Sequence, residues 1–122
     1  MSKHTTCGLF MQEYEPRLVD DIRQFVLKLA PVEFPYLHND LPFRKGPPDW
    51  PGGDEAWRDF RASEPVNAHS HLIAMMLGTT ESIPITKGKM VNGVYQNIMF
   101  ADLDGSWKGK DRKVAVQVTG SK

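Results

Sequence analysis

Seven of the nine prolines lie between positions 31 and 65, at 31, 35, 42, 47, 48, 51 and 65, with Gly52-Gly53 among them. Proline fixes its own φ, has no N–H to donate and pushes the preceding residue out of helical geometry. Neither a continuous helix nor a central strand can cross such a stretch. The chain is thereby divided into a short N-terminal block, a long excursion and a C-terminal block. Loops longer than about 12–15 residues are either functional or disordered. Phe43, Trp50, Trp57 and Phe60 favour a loop packed on the surface, with a short helical turn over 54–62.

Before the excursion, residues 5–12 are mostly β-branched or apolar and contain Gly8, which points to a buried strand. Pro16 suits a first helical turn, and Leu18, Val19, Ile22, Phe25, Val26 and Leu29 recur at helical spacing until Pro31 ends the pattern. After the excursion, Asn67 is the expected N-cap of a helix over 68–77 that stops at Gly78. The last third is expected to be β. A strand over 82–86, a tight turn at 87–89, a longer stretch over 90–102 broken at Asn92-Gly93, and a polar turn over 104–111 lead to the alternating Val114, Val116 and Val118. These elements make an α+β chain with antiparallel sheets.

The chain has 122 residues with 40% hydrophobic content, enough for one compact domain over 1–122 with its extended Pro/Gly/Trp-rich loop at 42–65. Fifteen basic and fifteen acidic side chains cancel. No global field draws such a chain onto nucleic acid or anionic lipid, so neither is expected as a partner. No apolar run reaches the roughly 18 residues of a membrane span, and the first residues show no signal-type segment. The expected location is cytoplasmic. The single Cys7 agrees with a reducing compartment and reads as a structural thiol.

Four histidines, His4, His38, His69 and His71, carry what chemistry the residues advertise. On a helix, positions two apart point about 200° away from each other, so His69 and His71 cannot share a site. His38 lies in the polar loop segment Tyr36-Leu37-His38-Asn39-Asp40. Read from spacing alone, these are ordinary surface or capping side chains. The sequence has no Cys-x-x-Cys, His-Glu-x-x-His, phosphate-loop or nucleophile-elbow motif. Lys108, Lys110, Arg112 and Lys113 read as a solvated turn, because Asp104 and Asp111 flank them.

Taken in order, His4-Thr5-Thr6, Gln12-Glu13, Tyr36-Leu37-His38-Asn39-Asp40, Asn67-Ala68-His69-Ser70-His71-Leu72, Leu77-Gly78, Ile83-Pro84-Ile85, Gly88-Lys89, Gly93-Val94-Tyr95-Gln96 and Asp104-Gly105 resemble the YjbQ-like family. This uncharacterised family is often labelled secondary thiamine-phosphate synthase. The resemblance implies a β-sandwich-like α+β fold with two main helices, a homotrimer, and a pocket that takes a small phosphorylated metabolite. It implies catalytic roles for Glu13, Asp40, His38 and His71, and substrate contacts from Thr5, Thr6, Asn39, Asn67 and Gln96. It further implies a divalent ion, zinc or magnesium, held by His4, His38 and His71, with His69 left pointing outward.

The implied reaction joins an aminopyrimidine diphosphate to a thiazole phosphate. The alternative is a non-catalytic trimer that binds a metal or a small anionic metabolite. Family members usually carry strands ahead of the His-Thr-Thr motif, so either the start is truncated or the sandwich lacks N-terminal edge strands. The 42–65 loop is longer than the family's, Tyr95 replaces a usual tryptophan, and Asp102 stands where glutamate is common.

Overall fold

The structure, a computed structural model, describes residues 1–105 and 111–120. Strand β1 (Cys7–Gln12) leads into helix α1 (Pro16–Leu29), and two single 3-10 turns, Leu37–Asn39 and Leu41–Phe43, open the excursion. Helices α2 (Gly53–Arg61) and α3 (Ala68–Leu77), the hairpin β2 (Ile85–Thr86) and β3 (Lys89–Met90), and strand β4 (Asn97–Asp102) complete the order. The fold is α+β, and its sheets are antiparallel.

β1 and β4 pair over their full length, from Cys7 opposite Asp102 to Gln12 opposite Asn97. Helix α3 lies against β1, and Gly8 permits the approach. A Cβ on Gly8 would stand 2.8 Å from both Cβ and Cδ1 of Leu77. Behind this contact Val26 and Ala30 of the α1 end meet Ile73, with Leu27, Leu77 and Leu103 around them. Helix α1 starts as its sequence requires: the Glu15 carboxylate accepts the N–H groups of Arg17 and Leu18 while Pro16 fills a first-turn position. The β2–β3 hairpin turns on Lys87 and Gly88 at φ 50° and 73°, the left-handed pair that a two-residue hairpin loop demands.

Several expectations change. The apolar stripe of α1 is only partly covered: Val26 is buried in a cluster with Ile73 of α3, but Phe25 is 61% and Leu29 51% exposed. The strand expected over 82–86 shrinks to Ile85–Thr86. The alternating valines near the C-terminus form no strand among the described residues. Val114 makes one bridge to Ser2, while Val116 and Val118 stay exposed. Their period of two specifies extended backbone but supplies no neighbouring strand. The polar turn expected over 104–111, with Lys108 and Lys110, falls largely outside the described residues.

The excursion, by contrast, is organised. Its helical turn is the nine-residue α2, with Asp54 and Glu55 in the first turn and Arg58 and Arg61 in the last, as the helix dipole favours. Trp57 is buried against Gly46, whose Cβ would stand 2.7 Å from the Trp57 ring, and Trp50 packs on Phe60 at 5.2 Å between centroids. The guanidinium groups of Arg44 and Arg61 lie 5.1 and 5.8 Å from the Trp57 ring centroid. Arg44 also bonds Glu64 at 3.0 Å, which ties the two ends of the loop together.

Candidate functional site

The start of α3 gathers three chain segments. Asn67 holds the N-cap position, yet its side chain turns away from the helix and donates to Asp104 at 3.3 Å. The cap comes from the excursion: Asn39 Oδ1 accepts the Ala68 N–H at 3.1 Å. One turn into the helix, the fully buried Ser70 donates its hydroxyl to the Leu103 carbonyl at 2.6 Å, anchoring the chain beyond β4. Thr6, just before β1, donates to the same Asp104 carboxylate at 3.4 Å.

This arrangement brings His38 and His71 together, with ring centroids 4.8 Å apart and planes at 72°. Both rings line an open concavity of about 470 Å³, walled by Phe34, Tyr36, Leu37 and Leu72. Such a wall accepts a flat apolar body, with the imidazoles as its polar anchors. Behind His38 lies a second, polar recess of about 30 Å³ between Asn39, Arg44, Glu64 and Asn67. Burial lowers the pKa of His38, the nearby Arg44 and His71 lower it further, and Glu64 and Asn67 oppose them. His38 is therefore a neutral imidazole at neutral pH, able to accept a proton. Its Nε2 is buried, and the Asn67 side chain acts on the ring as a hydrogen-bond partner.

Beside Asp104 stands a second charged group. Arg112 grips Asp102 with two bonds of 2.9 Å and lies 3.9 Å from Asp104. Burial pushes the Asp102 carboxyl up, but bonds from Arg112 and the Asp104 backbone outweigh it and hold the pKa below the usual value. The Cys7 thiol, 3.8 Å from Asp102, is pushed up chiefly by burial, the opposite of what a nucleophilic cysteine needs.

The expected site residues separate into groups. Thr6, His38, Asn39, Asn67 and His71 belong to the cluster at the start of α3. Glu13 and Gln96 sit at the other end of the sheet, where Gln12 pairs with Asn97; at about 3.3 Å per residue, Glu13 is roughly 20 Å along β1 from Thr6. Gln96 there accepts the Gly93 N–H at 2.7 Å and serves its own turn. Thr5 and Asp40 are exposed, and the Asp40 side chain caps neither adjacent turn.

His4 is engaged elsewhere: its Nε2 accepts the Lys113 N–H at 2.7 Å. The three histidines do not assemble into a metal site, because no three of the described His, Cys, Asp and Glu residues stand where they could hold one ion. His69 is not simply outward. Its Nε2 lies 3.1 Å from Ser70 Oγ, whose proton goes to Leu103, so the ring donates there.

Asp104, the hub between Thr6 and Asn67, lies outside the residues that the resemblance assigns to the site. Its only sequence signal is its place in Asp104-Gly105. Arg44 and Glu64 carry no motif at all.

A family model described as UPF0047 protein YjbQ-like matches residues 1–121. A UPF0047 protein of Methanothermobacter thermautotrophicus is 32% identical over 119 residues, covering 98% of this chain and 65% of its own. Another from Archaeoglobus fulgidus is 31% identical over 114 residues, covering 93% of this chain and 70% of its own. Among solved structures, a hypothetical protein from Aeropyrum pernix superposes with a TM-score of 0.64 at 30% identity, over 85% of this chain and 60% of that one. A YbjQ-like protein of unknown function from Sulfolobus solfataricus gives 0.64 at 27% identity, over 85% and 59%. The chain thus spans just under two thirds of the first relative and about three fifths of these two solved chains. With the match running the length of the sequence, the chain belongs to the YjbQ-like UPF0047 family.

Proposed function

We propose that the His38–His71 cavity is the active site of a transferase that joins an aminopyrimidine diphosphate to a thiazole phosphate, as the resemblance to secondary thiamine-phosphate synthases implies. The supporting observation is the edge-to-face imidazole pair set in an aromatic and aliphatic wall. The flat pyrimidine ring packs between the Tyr36 and Leu72 sides of the cavity. Neutral His38 takes a proton from the ring's amine as the carbon–oxygen bond to diphosphate breaks, and returns it once the thiazole nitrogen has bonded to that carbon. His71 holds the His38 ring in place and meets the ligand beside it. Glu13 and Gln96, at the far end of the sheet, have no part in this step within the subunit.

Homotrimer formation belongs to the same proposal. Further copies would cover the large side chains left exposed on α1 and β4, such as Phe25, Ile98 and Phe100. A light-scattering mass of one chain would contradict that assembly.

The deciding experiment follows thiamine phosphate by mass spectrometry in wild type and His38→Gln. Loss of a general base costs about 10²–10⁴-fold in rate. Product from the wild type and a drop of that order in the variant support the proposal. Ring binding without product makes the protein a binder of small heterocycles, the second reading that the open apolar wall favours.

A further inference from the structure

The chain exposes 9568 Å² of surface, whereas a folded monomer of 13.8 kDa exposes about 6,600 Å². The surplus of about 2,900 Å² is several times the ~800 Å² that each partner gives to a standard interface. Part of it is the arm formed by residues 84–96, every one of them exposed. The arm bonds to itself: β2 pairs with β3, and the Val91 N–H donates to the Pro84 carbonyl at 2.8 Å. A two-stranded hairpin alone in water is marginal at best, so this one calls for a surface to lie on.

Ile85 stands opposite Met90, so the two share one face of the hairpin, 52% and 54% exposed, with Lys87 and Lys89 at the tip. The His38–His71 cavity offers the complement: an open apolar wall in which Leu37 is 85% exposed, and no Lys or Arg among its described lining residues. A ligand that bears phosphates is held by cations, which the chain does not place in its own cavity. The arm leaves the sheet at the Asn97 end of β4, roughly 20 Å along the strands from the cluster at the start of α3. None of its residues lines the cavity of its own chain.

We propose that the 84–96 arm of a second copy of this chain caps the His38–His71 cavity, setting its Ile85 and Met90 against the Phe34 and Leu37 wall and bringing its Lys87 and Lys89 to the ligand's phosphates. The site is then composite: one subunit supplies the imidazoles and the wall, the next supplies the roof and the cations. A closed ring of copies occupies every arm and every cavity, and leaves neither apolar surface wet. The lysine role rests on the phosphorylated ligand given to the cavity above, whereas the contact between arm and wall does not.

Cross-linking tests the contact apart from turnover. Leu37→Cys and Met90→Cys chains, both altered at exposed positions, are co-expressed and treated with a short bismaleimide; the native Cys7 is buried. A covalent pair of the two different chains is expected, with each variant alone remaining single. No mixed pair, or a pair formed as readily by either variant alone, overturns the proposal. Calorimetry with inorganic diphosphate tests the lysines: the double variant Lys87→Ala, Lys89→Ala is expected to bind about tenfold or more weakly than the wild type. Equal affinity overturns their role. A wild type that binds no diphosphate while the mixed pair forms refutes the transferase reading and supports the arm contact.

Discussion

The side-chain oxygen of Asn39 accepts the backbone N–H of Ala68 at 3.1 Å, so the residue next to His38 caps the helix that carries His71. Two histidines 33 positions apart are brought into contact by a helix cap. An unsatisfied N–H at a helix start is costly, and here its acceptor comes with the turn that holds His38.

Replacing that oxygen tests the link. Asn39→Ala is expected to cost about 0.5–2 kcal/mol in urea unfolding, the usual range for a lost N-cap. It should also loosen the imidazole pair, seen as a weaker nuclear Overhauser effect between the His38 and His71 rings. Asn67→Ala, at the nominal cap position, should leave the helix start intact and act through Asp104 instead.

Gly8 makes the second prediction. Because a Cβ there meets Leu77 Cβ at 2.8 Å, Gly8→Ala should destabilise by about 1–3 kcal/mol, as overpacking does. Leu77→Ala keeps its Cβ but removes the Cδ1 that lies equally close, at 2.8 Å, so the double variant should be somewhat more stable than the sum of the two single losses predicts. A purely additive pair in a denaturation cycle would place the strain elsewhere.

The pH profile of stability should have two acid steps. His38 has a folded pKa below its ordinary 6.5, so the unfolded chain binds its proton first. The stability from a neutral ring is present above about 6.5 and is lost as the pH falls from there until the folded ring titrates. Asp102, held below its ordinary 3.8 by Arg112, adds stability that is complete above that value and is lost below it. In thermal melts from pH 8 to 3, His38→Gln should flatten the first step and Asp102→Asn the second.

Much of the backbone was legible because its signals are local. Pro16, Asn67 and Gly78 bound their helices where the spacing predicts, and the proline run does form a long excursion. The pattern of Val114, Val116 and Val118 misled because alternation describes a strand's faces, whereas the strand needs a neighbour to bond. The motifs of the resemblance pointed to His38, Asn39, Asn67 and His71, which do converge. They also pointed to Glu13 and Gln96, which the β1–β4 register carries to the far end of the sheet. Glu64 stayed hidden, and Asp104 entered only through the Asp104-Gly105 motif, because their importance arises from long-range contacts that leave no periodicity in the chain.

The most direct test of the shared cavity is a titration of the protein with an aminopyrimidine phosphate, following the ring signals of all four histidines by NMR. The signals of His38 and His71 are expected to move together and saturate at one dissociation constant, while His4, bonded to Lys113, stays in place. Saturable binding that moves His4 but leaves the His38 and His71 rings unchanged, or no binding at all, would contradict the account.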